Sequence, residues 1–236
     1  MSEEIAIVLA AGMGNRLQPL TKTIPKPLVK VHGVPLIETV IGGLEKRGVQ
    51  KIFVVVGYMG EKFDYLIQKY QNVEIVKNNE YLEKNNISSL KAVGDVLGSA
   101  DCFICEADLY VADVAIFQKA NRNSCYYAKT VKGYSGDWVF ETRENRIVRI
   151  TKGACNAYNM AGISYWYKED ARMVKERIDE VYHLEGHEKL FWDEVVDSIL
   201  DKVDVRVCEV PEQSIFEIDT IEDLHRVETI ISDKAI

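Results

Sequence analysis

The chain has 236 residues, 47% of them hydrophobic, and a formal charge of −8. That length and apolar content suffice for one α/β domain with a large core, and the acidity argues against a nucleic-acid or anionic-membrane surface. No apolar run approaches the roughly 18 residues of a membrane helix. Met1-Ser2-Glu3-Glu4 lacks the basic start of a signal peptide, so a single cytoplasmic domain over 1–236, with no membrane insertion, is expected.

Residues 5–9 are a short apolar run fit for a buried strand. It leads into Leu9-Ala10-Ala11-Gly12-Met13-Gly14-Asn15-Arg16-Leu17, where the glycines allow a sharp turn that brings backbone N–H groups close to an anion. Lys26 follows between Pro25 and Pro27, so Arg16 and Lys26 offer two cations to a triphosphate from a stiffened segment. The loop has no Gly-Lys-Ser/Thr and is therefore not a P-loop. The dinucleotide fingerprint is incomplete as well, because Leu17 stands at its third glycine.

Further on, residues 35–46 carry the helical stripe Leu36, Val40, Ile41 and Leu44, stopped by Gly48. A strand is expected over 51–56, a helix marked by Phe63, Leu66, Ile67 and Tyr70, a strand over 73–76 and a helix over 87–97. This alternation predicts right-handed crossovers and a mainly parallel sheet with ligands beyond the carboxyl ends of its strands. The next strand, 102–106, delivers Asp108 to that edge, where a carboxylate can hold Mg²⁺ against phosphates. Cys102 and Cys105, three apart on a strand, face opposite ways, and the five cysteines form an odd, scattered set suited to reduced thiols.

Residues 125–130, 138–142, 147–151 and 163–167 then read as antiparallel strands, an extension of about 125–167 over the sheet edge. Helices are expected over 168–182 and 190–200, and a strand over 204–210. His183 and His187 are separated by Gly186 and lack the HExxH glutamate, so they read as loop histidines without a metal. Residues 215–219 alternate apolar and acidic, which puts Glu217 and Asp219 on one face ahead of a helix through Ile221, Leu224, Val227 and Ile231. Helix capping is the plain role for Asp219.

Taken whole, the glycine stretch with Pro19, Thr21 and Pro25-Lys26-Pro27-Leu28 resembles the signature of the sugar-phosphate nucleotidyltransferase superfamily. Asn85-Asn86-Ile87-Ser88-Ser89-Leu90, Asp137-Trp138, Leu190-Phe191-Trp192-Asp193 and Ser214 to Asp219 narrow the resemblance to bacterial CTP:phosphocholine cytidylyltransferases, over residues 5–227. The resemblance implies a Rossmann-like, mostly parallel mixed sheet flanked by helices, with a small antiparallel extension over the active site. It also implies transfer of CMP from CTP to phosphocholine, giving CDP-choline and pyrophosphate. Lys26, Arg16 and Asp108 would be catalytic, and Leu9, Ala10, Ala11, Gly12, Gly14, Asn86 and Ser88 would join the two cations around the nucleotide. Asp108 and Asp219 would bind Mg²⁺, with Glu217 as a further acidic ligand or orienter.

A quaternary ammonium has no N–H to donate and is best held by aromatic faces near a carboxylate, which Trp138, Phe191, Trp192, Asp137 and Asp193 could supply. Phe191 departs from the tyrosine of the resembling enzymes, and Lys129 and Lys132 add cations suited to a phosphonate. Hence 2-aminoethylphosphonate and phosphoethanolamine stand as alternative acceptors, ahead of a sugar 1-phosphate. A nicotinamide-dependent oxidoreductase would need a ribose-binding acid near Glu38, which falls inside a helical stripe. A homodimer is compatible with all of these readings.

Overall fold

The computed structural model describes residues 3–119 and 121–234; Met1 and Ser2 of the N-terminal stretch lie outside the described residues. In chain order the elements are β1 (Glu4–Ala10), β2 (Lys30–Val31), β3 (Val34–Pro35), α1 (Leu36–Arg47), β4 (Lys51–Val56), α2 (Tyr65–Lys69), β5 (Val73–Lys77) and α3 (Ile87–Val93). After them come β6 (Asp101–Glu106), β7 (Leu109–Val111), β8 (Ser124–Thr130), β9 (Tyr134–Arg143), β10 (Arg146–Cys155), β11 (Tyr158–Trp166) and α4 (Lys168–Val181). The last are α5 (Trp192–Asp197), β12 (Val205–Glu209), β13 (Ile215–Glu217) and α6 (Ile221–Lys234).

Period-two burial along β1 sets the layers. Ala6, Val8 and Ala10 enter a core shared with Ile37, Ile41 and Leu44 of α1, whereas Ile5 and Ile7 enter the opposite core with residues of α3, α4 and α5. Cys105 belongs to the first core and Cys102 to the second, the opposite orientation their spacing predicts. Burial pushes both thiols well above the ordinary cysteine range.

The main sheet has nine strands in the order β5-β4-β1-β6-β11-β8-β12-β10-β9. Its first four strands are parallel, as the alternating helices require. The strands expected as an extension continue this same sheet: β11 runs antiparallel to β6 and to β8, and the β9–β10 hairpin closes the far side. Some helices are shorter than expected. Gly94, with φ 55°, stops α3 ahead of a single tight turn, and the 63–70 stripe splits into a turn at Gly60–Phe63 followed by α2. Similarly, α5 covers only the middle of 190–200.

The acidic segment 215–219 stays outside the main sheet. Its strand β13 pairs antiparallel with β7, with Glu217 opposite Leu109, and this brings Glu217 beside the end of β6. A third cluster, including Leu17, Val31, Leu36, Phe216, Leu224 and Val227, packs α6 beneath the glycine loop.

Candidate active site

The carboxyl ends of β1, β5 and β6 open onto a cleft of about 630 Å³, a volume fit for a nucleotide with a second small molecule. Leu9, Ala10, Ala11, Gly12 and Gly14 form one wall, with Arg16 and Lys26 beside them. Gly14 has φ 62°, and a Cβ placed on it would stand 2.7 Å from the Lys26 Cβ. Only glycine lets the loop cross Lys26 so closely. Thr21 fixes the crossing by donating its hydroxyl to the Gly14 carbonyl at 2.9 Å.

Lys26 is buried, and its ammonium bridges Asp108 Oδ2 at 2.6 Å and Asp219 Oδ1 at 2.5 Å. Arg16, largely exposed, reaches the other Asp219 oxygen at 2.7 Å. Burial alone would lower the Lys26 ammonium, but Asp108 and Asp219 hold it well above the ordinary lysine range. The two cations of the sequence motif thus converge with the two expected aspartates.

Glu106, Asp108 and Glu217 present carboxylate oxygens within 4.8 Å of one another. Burial, then Asp108 and Glu217, push the Glu106 carboxyl well above its ordinary range. Glu217 reaches solvent at the rim, yet the cleft walls and the neighbouring Asp108 and Asp219 raise it to about 8. Asp108 Oδ1 is buried without a hydrogen-bond partner. An all-carboxylate group with an orphaned oxygen fits a hard divalent cation. Asp219, also expected as a metal ligand, lies beside this group; it accepts from Lys26 and Arg16, and shares Lys26 with Asp108. Glu106 is a residue the sequence reading missed. It closes an apolar strand, and its two-residue spacing to Asp108 was the available signal.

On the opposite wall, buried Asn78 donates to Ser88 Oγ at 2.9 Å and Ser89 Oγ at 3.2 Å, while Asn86 Oδ1 accepts from the Trp192 backbone N–H at 2.9 Å. Both Asn86 and Ser88 therefore line the cleft as parts of a fixed scaffold.

At the far end, Trp138 and Phe191 meet edge to face with centroids 5.4 Å apart, and Asp137 and Asp193 line the same region. Asp193 is buried, accepts from the Tyr126 hydroxyl at 3.0 Å, and is pushed up to about 7 by burial. Lys152, which sequence reading also missed, places its ammonium 4.6 Å from each of the two ring centroids.

Two expected substrate residues lie elsewhere. Trp192, only 4% exposed, is stacked on Tyr126 at 5.6 Å in the core, because the first turn of α5 points it away from the cleft. Lys129 donates to the Ile215 carbonyl and lies over the Phe216 ring, tying β8 to β13, and burial lowers its ammonium. Glu38, on α1, accepts from Tyr65, Lys69 and Tyr70 and is not among the residues lining the cleft.

The chain matches the nucleotidyl transferase family over residues 5–133. It is 48% identical over 220 residues to the 2-aminoethylphosphonate cytidylyltransferase of Lancefieldella rimae, covering 93% of this chain and 89% of that one. It is 33% identical to the choline-phosphate cytidylyltransferase of Streptococcus pneumoniae, covering 97% and 99%. A solved structure of the CTP:phosphocholine cytidylyltransferase from Streptococcus pneumoniae superposes with a TM-score of 0.90 at 33% identity, covering 97% of this chain and 99% of that one. The inositol-1-phosphate CTP transferase of T. maritima, 21% identical with a TM-score of 0.76 over 98% and 96%, shares the fold. A match over more than half of the chain, together with near full-length relatives at 33% and 48% identity, establishes that it belongs to the nucleotidyl transferase family.

Proposed function

We propose that the chain transfers CMP from CTP to a small phosphonylated or phosphorylated amine, 2-aminoethylphosphonate being the acceptor, with release of pyrophosphate. The observation that carries the reaction type is buried Lys26 held against Asp108 and Asp219 beneath the glycine loop, in a cleft that also gathers Glu106 and Glu217. The choice of acceptor rests on the 48% identity to a cytidylyltransferase named for that phosphonate.

An acceptor oxygen attacks the α-phosphorus of CTP in line; a new P–O bond forms as the bond to the β-phosphate bridging oxygen breaks, and that oxygen departs with pyrophosphate. The acceptor is already largely ionised near neutral pH, so positioning and charge neutralisation suffice without a general base. Backbone N–H groups of the loop orient the phosphates. Lys26 and Arg16, beside the same loop, offset the phosphates' charge, a cation at 4 Å contributing about 4 kcal/mol at an effective dielectric near 20, before desolvation. Glu106, Asp108 and Glu217, with Asp219 beside them, are the residues that would hold Mg²⁺, whose charge would offset that of the phosphates. A CTP-dependent reaction of this kind belongs in the cytoplasm, carried by a single domain over 1–236, as monomer or homodimer.

Phosphocholine is the second reading, favoured by the Trp138–Phe191 corner at the acceptor end. Steady-state pyrophosphate release with CTP, Mg²⁺ and 2-aminoethylphosphonate, phosphocholine or phosphoethanolamine separates them. We expect kcat/KM for 2-aminoethylphosphonate to exceed that for phosphocholine by at least about tenfold, a step of roughly 1.4 kcal/mol. The reverse order would favour phosphocholine, and no release with any of the three would contradict the proposed reaction.

A further inference from the structure

Lys152 of β10 stands directly across the ladder from Trp138 of β9. Opposed residues of an antiparallel pair share a face and touch. The pairing depends on a register shift between Ile147 and Arg149; without it Thr151 would oppose Trp138 and Lys152 would turn to the other face. A second shift follows at Gly153, where φ is 77° and a Cβ would stand 2.8 Å from the Tyr134 hydroxyl. Irregularities on both sides of Lys152 therefore aim its ammonium into the corner between the Trp138 and Phe191 rings, 4.6 Å from each centroid.

Among the described residues no carboxylate pairs with this ammonium, so the two rings are what holds it. Cations are attracted to such faces, and like charges exclude one another from them. A quaternary ammonium, having no N–H, depends on the rings and must displace Lys152 to use them. A primary ammonium has three N–H donors and can instead bond to Asp137 or Asp193, which line the same end of the cleft. We infer that Lys152 is a specificity-determining residue, an internal cation that occupies the Trp138–Phe191 corner and so favours acceptors with a primary ammonium over those with a quaternary one. The inference rests on reading this end of the cleft as the acceptor site.

The test is calorimetric binding of phosphocholine and of 2-aminoethylphosphonate to the wild type, Lys152→Met and Lys152→Gln, each checked for a native melting transition. Both substitutions remove the charge and keep a long side chain on an exposed position. Phosphocholine should bind both variants at least about tenfold tighter than the wild type, with a smaller change for 2-aminoethylphosphonate, and adding Trp138→Ala to Lys152→Met should abolish the gain. Unchanged or weaker phosphocholine binding to both folded variants would overturn the role of Lys152. Binding is read without turnover, so that result is distinct from an absence of pyrophosphate release, which would count against the proposed reaction.

Discussion

Gly14 lies so close to Lys26 that a Cβ on residue 14 would stand 2.7 Å from the lysine's own Cβ. The loop that would hold the phosphates and the cation that would neutralise them are thus one packed unit. Gly14→Ala should lower kcat by at least about 100-fold through displacement of Lys26. It should also destabilise the fold by about 1–2 kcal/mol for the left-handed backbone alone. Parallel kcat and melting measurements check this; an active Gly14→Ala enzyme would show that Lys26 does not depend on the crossing.

Lys26→Met removes the ammonium that separates Asp108 from Asp219. We expect kcat to fall at least about 100-fold, because charge stabilised in the transition state is lost. A rise confined to KM for CTP would reduce Lys26 to a binding residue.

The acidic group can be read with Mn²⁺ by electron paramagnetic resonance. Glu106→Gln and Asp108→Asn should each weaken binding by about tenfold or more. A cation must displace the protons that the raised carboxyls of Glu106 and Glu217 retain, the latter below about 8, so affinity should rise with pH through that value. A flat profile from pH 6 to 9 would remove Glu217 from the ligand set.

Asp193 makes a prediction about stability. Its folded carboxyl titrates near 7, above its unfolded range, so the unfolded chain releases its proton first and the contribution is complete below about pH 4. It is lost as pH rises to 7, by at most about 4 kcal/mol. Asp193→Asn should therefore flatten this part of the profile of melting temperature against pH, although it alters the bond from Tyr126. An identical pH slope in the two proteins would show that Asp193 does not titrate in this range.

Much of this architecture was legible in the residues. The apolar run before Gly12, the alternation that produced β1, α1, β4 and β5, the delivery of Asp108 to the sheet edge and the shared face of Glu217 and Asp219 follow from period and spacing, whereas the meeting of Asp219 with Asp108 at one edge was implied by the family resemblance. Trp192 was not legible, because residues 190–193 offer two aromatic side chains and only the start of α5 decides which of them enters the core. Nor was Lys152, since its partner across the hairpin is set by a bulge that leaves no mark in the hydrophobic pattern. Lys129 was misplaced for a related reason. A cation on a strand of the mixed half of the sheet can face the cleft or a neighbouring loop, and here the carbonyl of Ile215 took it.

The most direct measurement is ³¹P nuclear magnetic resonance of the wild-type chain with CTP, Mg²⁺ and 2-aminoethylphosphonate. The three CTP resonances should be replaced by pyrophosphate and by a coupled pair from a phosphonate–phosphate anhydride, at a rate lowered at least about 100-fold by Lys26→Met. CTP left intact, or pyrophosphate formed at the same rate without the phosphonate, would contradict the proposed reaction.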